Sequence, residues 1–281
     1  MMNRTADAYS IERELAARLR NAPESLRPQV AREVYADLYR LVPWHPDLNR
    51  TREERERVAG ALLLAYEGMI AGATTVLEIG AGSCDFLRCV APRYPATSFI
   101  AVDIVRDPLD STGGRLPDNV RFVQAGAREI PVVSGSVDFA FCSQVLEHFH
   151  PGDVPAHLAE VARVLRPGGW FGCDTPNRVT GPHDVSRGFT REPTGLHLRE
   201  WTYRELGAVL LEHEFDDVRA RALPGWIVRA GRLPAPGPLW PVERKCVLEA
   251  LVSTIPMREL RGLAGRLVGV DGIYVYARRR A

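Results

Sequence analysis

The chain carries two hydrophobic rhythms, and they change over at Gly72. Before it, apolar residues recur every three or four positions over 10–20, 23–42 and 51–70, which predicts three amphipathic helices. The third opens on Thr51-Arg-Glu-Glu54, a capping box whose side chains satisfy two otherwise orphaned backbone donors. VPWHPDLNR, between the second and third helices, reads as a proline-punctuated loop.

From Thr74 the runs become short and β-branched or aromatic. TTVLEIG, TSFIAVD, NVRFVQA, VDFAFCS and GWFGCDT are five strand candidates separated by helix-length segments, a pattern that predicts a parallel sheet covered on both faces. In PGDVPAHLAEVARVLRPGG the expected helix has Asp153 as its cap and Pro-Gly-Gly as its stop. A second capping box, Thr202-Tyr-Arg-Glu205, starts a helix running to about His213, and DDVRARAL and GIYVYARR supply a sixth and a seventh strand. The segment 224–269 between those two strands is Pro- and Trp-rich at first and helical afterwards, too long for a structureless loop. The organisation expected is a helical cap over 1–72, an α/β core over 73–223 with 270–281, and an insertion over 224–269 that serves as lid or interface.

Composition narrows the chemistry. With 281 residues, 46% of them hydrophobic, the chain can bury a substantial core. Its 36 basic and 35 acidic residues nearly cancel, so overall charge supports neither a nucleic-acid nor a membrane partner. Lys245 is the sole lysine and has no glycine loop before it, which argues against a Walker phosphate loop and against Schiff-base chemistry. The five cysteines form no C-x-x-C pair, and the N-terminal stretch has acidic residues and no apolar leader core. No apolar run approaches the ~18 residues of a membrane span, so a cytoplasmic location is expected.

VLEIGAGSCDF, residues 76–86, ends a strand in Gly-x-Gly and opens a helix. A dinucleotide fingerprint would carry a third glycine where Asp85 stands, and a carboxylate there would repel a pyrophosphate at the helix N-terminus. A nucleoside ligand without phosphate fits better. Asp103, closing the second strand about 20 residues later, is placed to meet ribose hydroxyls.

Together VLEIGAGSC, FIAVD, VRFVQAGAREIPVVSGSVDFAFCSQVLEHF and VARVLRPGGWFGCDTPN resemble the class I S-adenosylmethionine-dependent methyltransferases, in the group with a V-L-E-H segment after the fourth strand. The resemblance runs from residue 74 to about 222. It implies a Rossmann-like seven-stranded sheet in the order 3-2-1-4-5-7-6, with S-adenosyl-L-methionine as cofactor. It also sets Gly80, Ala81 and Gly82 against the cofactor's amino acid end, with Glu78 on the ammonium and Asp103 on the ribose. Ile104 then meets the adenine, the Ala127 backbone the adenine edge, and Ser143 the methionine portion. The family's usual acid on the adenine amino group is absent, since the chain reads Ala125-Gly126-Ala127.

The acceptor is less legible. A hydroxyl acceptor gains from a base tuned near neutral pH, which favours histidine. His148 follows the fourth strand, and His197 lies in PHDVSRGFTREPTGLHLREW after the fifth; these two are the catalytic candidates. His183 with Asp184 is a lesser candidate, as a metal site, and His45 could reach the site if the N-terminal helices cover it. Quinone O-methyltransferases of this fold carry E-x-x-E-H at His148 and hold a divalent metal with it; here the first acid is Gln144, and no metal is expected. Asn/Asp-Pro-Pro-aromatic and Pro-Cys motifs of nucleobase methylation are absent. Trp44, Trp201, Trp226 and Trp240 are candidate walls of an acceptor pocket, or packing and dimer contacts in the case of Trp226 and Trp240. The reading is O-methylation of a small metabolite or glycan hydroxyl, with a homodimer as a further expectation. N-methylation of a small molecule, a non-catalytic cofactor-binding protein and, more remotely, a Rossmann oxidoreductase are the alternatives.

Overall fold

The computed structural model describes residues 4–126, 128–231 and 233–281. Its helices are α1 (Arg4–Arg20), α2 (Arg27–Leu41), α3 (Pro46–Asn49), α4 (Arg52–Ile70), α5 (Asp85–Val90), α6 (Asp107–Ser111), α7 (Val154–Val164), α8 (Tyr203–Glu212), α9 (Gly225–Ala230), α10 (Val242–Ser253) and α11 (Arg258–Val268). Its strands are β1 (Thr75–Ile79), β2 (Ser98–Asp103), β3 (Val120–Gln124), β4 (Val137–Ser143), β5 (Leu165–Pro176), β6 (Arg219–Arg221), β7 (Leu239–Pro241) and β8 (Gly272–Arg278).

The strands form one sheet in the order β3-β2-β1-β4-β5-β8-β6-β7. β1 to β5 run parallel, and β8 returns antiparallel beside β5. Seven strands follow the predicted order; the eighth, β7, is a correction. It comes from the proline-rich start of the 224–269 insertion and pairs antiparallel with β6 at the sheet's edge, the position that tolerates proline. Because the parallel order reverses between β1 and β4, the carboxyl ends of β1, β2, β4 and β5 open a crevice where ligands of such sheets sit.

Alternation along each strand explains the layers. Leu77, Ile79, Val102, Cys142 and Val275 face one side, where they meet Leu158 and Val161 of α7 and Leu206 and Leu210 of α8. Val76, Phe99, Phe139, Phe141 and Tyr276 face the other, where they meet Tyr66 and Ile70 of α4 and Phe86 and Leu87 of α5. Helix α4 therefore belongs to the sheet's covering layer. The helices that close over the crevice are α1 and α2, which pack Leu15, Ala16 and Leu19 on Val34, Leu38 and Tyr39 and seat this pair on Val105 and Leu196 of the core.

Local corrections are few, and each has a cause. The expected helix over 23–42 begins with a 3-10 turn (Glu24–Leu26) before α2, whose second residue is Pro28; proline is accepted in the first turn of a helix and not inside one. The first helix starts at Arg4, ahead of the expected residue 10. VPWHPDLNR contains the short helix α3, capped by the His45 side chain accepting from Asp47 N–H. Both capping boxes form as expected. Asp153 makes no capping bond: its carboxylate accepts from Arg27 at 3.0 Å and Arg128 at 3.2 Å, tying α2 of the cap to the core.

Candidate active site

A cavity of about 1410 Å³ opens between the carboxyl edge of the sheet and α1 to α3. The turn after β1 forms its floor. Gly80 and Gly82 take positive φ, +74° and +50°, and a Cβ at Gly80 would stand 2.3 Å from Val145 Cγ2. The backbone N–H groups of Gly80 and Ala81 donate to Val102 O, so the turn is laced to β2. The third left-handed residue is Cys84, φ +56°, and Asp85 opens α5. Asp85 stands at the helix N-terminus, where the spacing placed it, and Cys84 carries the strained backbone just before it.

Three carboxylates crowd this floor. Glu78 is buried with Oε2 unpartnered, and burial pushes it well above the usual carboxylate range, with Asp103, Asp85 and Asp174 adding to the rise. Both oxygens of buried Asp85 lack hydrogen bonds, with Arg50 and Arg55 each 3.8 Å away. Asp103 accepts from Gly82 N–H at 2.8 Å and Val105 N–H at 3.1 Å; burial lifts it to about 6 even so. Three buried carboxylates, with Glu78 Oε2 unpartnered among them, suit a ligand carrying a sulfonium and an ammonium, and they disfavour a pyrophosphate. The residues present therefore fit S-adenosylmethionine: Glu78 toward the ammonium, Asp103 toward the ribose, and Ile104, Ala125 and Gly126 along the next wall. Ala127 lies outside the described residues. Ser143 lines the cavity and donates to Asp174 Oδ2 at 3.0 Å; Asp174 also accepts from Tyr66 and Gln144.

Across the cavity lies the polar cluster. His148, in a 3-10 turn just beyond β4, and His197, in the loop after β5, stack edge to face with centroids 5.0 Å apart. His148 Nδ1 is 3.1 Å from Leu196 O, and His197 Nδ1 is 2.9 Å from Glu200 Oε1. Burial lowers His148 to about 3, with His197 adding to the fall. Burial also disfavours charge on His197, but the Glu200 hydrogen bond and the charge of Glu147 outweigh it and raise the imidazole. Glu147, fully buried behind the two rings, is pushed up to about 7 by burial. The structure thus brings both predicted histidines to one wall, opposite the predicted cofactor residues.

Other expectations sort themselves on the same wall. His45 reaches the cavity. His183 faces Thr180 Oγ1 and Asn177 O, ties within the loop, while Asp184 caps a 3-10 turn and lines the cavity. None of the four tryptophans lines the cavity: Trp201 is core, under Arg199, and the aromatic wall is Tyr35 and Tyr39 from α2. The sequence reading missed Glu200, which holds His197, and Glu12 of α1, which burial raises to about 7 beside Asp184 and His197. A carboxylate three residues after a candidate histidine was the one available signal for Glu200; nothing marked Glu12.

Residues 76–169 match the family described as Methyltransferase domain. A probable S-adenosylmethionine-dependent methyltransferase of Mycobacterium tuberculosis is 35% identical over 149 residues, 52% of this chain and 50% of that one. Residues 76–169 therefore carry a class I S-adenosylmethionine-dependent methyltransferase domain. Solved structures agree on the fold. A SAM-dependent methyltransferase from Archaeoglobus fulgidus superposes with TM-score 0.55 at 20% identity, over 80% of this chain and 94% of that one. The 1,6-didemethyltoxoflavin-N1-methyltransferase of Burkholderia thailandensis, solved with S-adenosylhomocysteine, gives 0.55 at 21% identity over 92% of each chain. The chain spans about half the length of the curated relatives it matches. Among its described residues no helix is long and apolar enough to cross a membrane.

Proposed function

We propose that this methyltransferase moves a methyl group from S-adenosylmethionine to a hydroxyl of a small metabolite or glycan. The observation that carries the reading is the arrangement of one cavity, with a cation-seeking floor of Glu78, Asp85 and Asp103 facing a wall of His148 and His197. At about 1410 Å³ it exceeds the ~300–1,000 Å³ of an ordinary single-ligand pocket, which favours room for two molecules side by side.

The cofactor supplies a methyl group already attached to a good leaving group, so the chain's work is orientation and exclusion of water. Glu78, the Gly80 to Gly82 turn and Asp103 hold the donor in place. Tyr35 and Tyr39 shape the acceptor's side. A hydroxyl placed against the far wall meets imidazole nitrogen, and His197, oriented by Glu200, takes its proton.

Calorimetry with S-adenosylmethionine and with NAD tests the donor; tight NAD binding without S-adenosylmethionine binding would overturn it. A metabolite screen for a gain of one methylene, followed by His197→Asn on the acceptor found, tests the rest. The expected result is unchanged cofactor affinity with kcat down by roughly 10²- to 10⁴-fold; full turnover would remove His197 from the chemistry. We also propose a cytoplasmic location and a homodimer. The strip of exposed Leu260, Leu263 and Leu267 on α11, with Met257 just before it, supports the dimer.

A further inference from the structure

Glu147, His148 and His197 each offer a ligand atom, and these atoms all lie within 4.8 Å of one another. Their other contacts decide what lies at the centre. Leu196 O can only accept, so Nδ1 of His148 is the donor in that 3.1 Å bond, which leaves the lone pair of the neutral ring on Nε2. His197 is held in the same tautomer by the Glu200 carboxylate. Glu147 takes Thr175 Oγ1 on Oε2 at 2.9 Å and has nothing on Oε1, although the residue is 0% exposed. The result is two imidazole nitrogens and one buried carboxylate oxygen gathered with no donor assigned among them. Such a gathering of acceptors calls for something positive at its centre, a metal ion or a proton. Gln144 takes no part, since its amide donates to Asp174.

We infer that Glu147, His148 and His197 form a site for a divalent transition-metal ion. Two imidazoles and a carboxylate are the donor set of an open, catalytic-type Zn²⁺ site, with Co²⁺ as its spectroscopic substitute. The outer shell is built as such sites are built. Each ligating histidine gives its second nitrogen to a carbonyl or a carboxylate, Glu147 is fixed by Thr175, and the backbone N–H groups of Leu198 and Arg199 donate to Glu147 O. Both rings line the cavity, so the remaining coordination position faces the acceptor's side. A bound ion would lower the pKa of a hydroxyl placed there, a route to ionisation that replaces proton uptake by His197. The site's existence does not depend on the hydroxyl reading, and failure to bind metal would leave methyl transfer as proposed. The competing occupant is a proton shared between His197 and Glu147.

The test uses the full chain, stripped with chelator and titrated with Zn²⁺ by calorimetry and with Co²⁺ by visible absorption. One ion per chain with the intense absorption of a four-coordinate Co²⁺ centre is expected. His148→Ala and His197→Ala should abolish it, and Glu200→Gln, which removes the charge behind the second nitrogen of His197 on an oxygen that also accepts from His183 N–H, should weaken binding by roughly 10- to 100-fold. In the unmodified protein Co²⁺ should shift and broaden the ring protons of His148 and His197, a readout that needs no variant to fold. Three outcomes each overturn the site: no stoichiometric binding, binding that survives both histidine variants, or thiolate-type absorption lost with the exposed Cys89→Ala.

Discussion

At the scale of single residues, the turn after β1 is constrained twice over. Gly80 combines a left-handed backbone with a neighbour that a Cβ would strike. Gly80→Ala should lower stability by about 2 kcal/mol or more, from strain and overpacking together. Chemical denaturation would show it, and calorimetry would show loss of cofactor binding. Asp103 makes a different prediction, one of pH. In the proposed binding mode its carboxylate form accepts ribose hydroxyls, and burial holds it near 6 in the folded chain. Affinity for S-adenosylmethionine should therefore climb as pH rises from 5 to 7 and level off above. Asp103→Ala should cost roughly 10- to 100-fold and flatten that dependence, as isothermal calorimetry across pH would reveal.

At the scale of elements, what the sequence disclosed depended on whether neighbours in the chain are neighbours in space. Helices α4 and α8 announced their starts because a capping box is complete within four residues. Strands β1, β2, β4 and β5 were readable because burial on both faces makes them largely apolar runs, whereas β3, at the sheet's edge, is only half-buried. Asp153 looked like a cap for the same local reason, yet its partners are 126 and 25 residues away, Arg27 and Arg128. Glu12 and Tyr35 were invisible as site residues because only the docking of α1 and α2 gives them a cavity to line, and Glu200 acts from behind His197. Strand β7 was missed because Leu239, Trp240 and Pro241 are too few to carry a periodicity. The Asp153 contacts make an element-level prediction: Asp153→Asn should loosen α2 from the core while leaving the sheet intact. Limited proteolysis would then cut more readily within 20–50, with little change in the global melting temperature.

At the scale of the whole molecule, the methyltransferase core is legible along its length and the acceptor side is not, because the latter is assembled from the two ends of a long crossing. Helix α1 supplies Glu12 and the loop after β5 supplies His197, residues that no motif links. The exposed leucines of α11 invite a prediction at this scale too. Leu263→Arg should convert a dimer to a monomer in sedimentation velocity without altering cofactor affinity; a wild-type chain that is monomeric at all concentrations would remove the dimer.

Arg20, near the end of α1, lies within 3.2 to 3.4 Å of the carbonyls of Pro193, Gly195 and His197. The same loop is fastened on its other side through the N–H groups of Leu198 and Arg199 on Glu147 O. The first helix and the acceptor wall are in effect stitched together, so a cap that swings open takes the wall with it. An open chain would hold an activated methyl group beside a dismantled reaction chamber, and one closed over both partners would complete that chamber at the moment water is shut out.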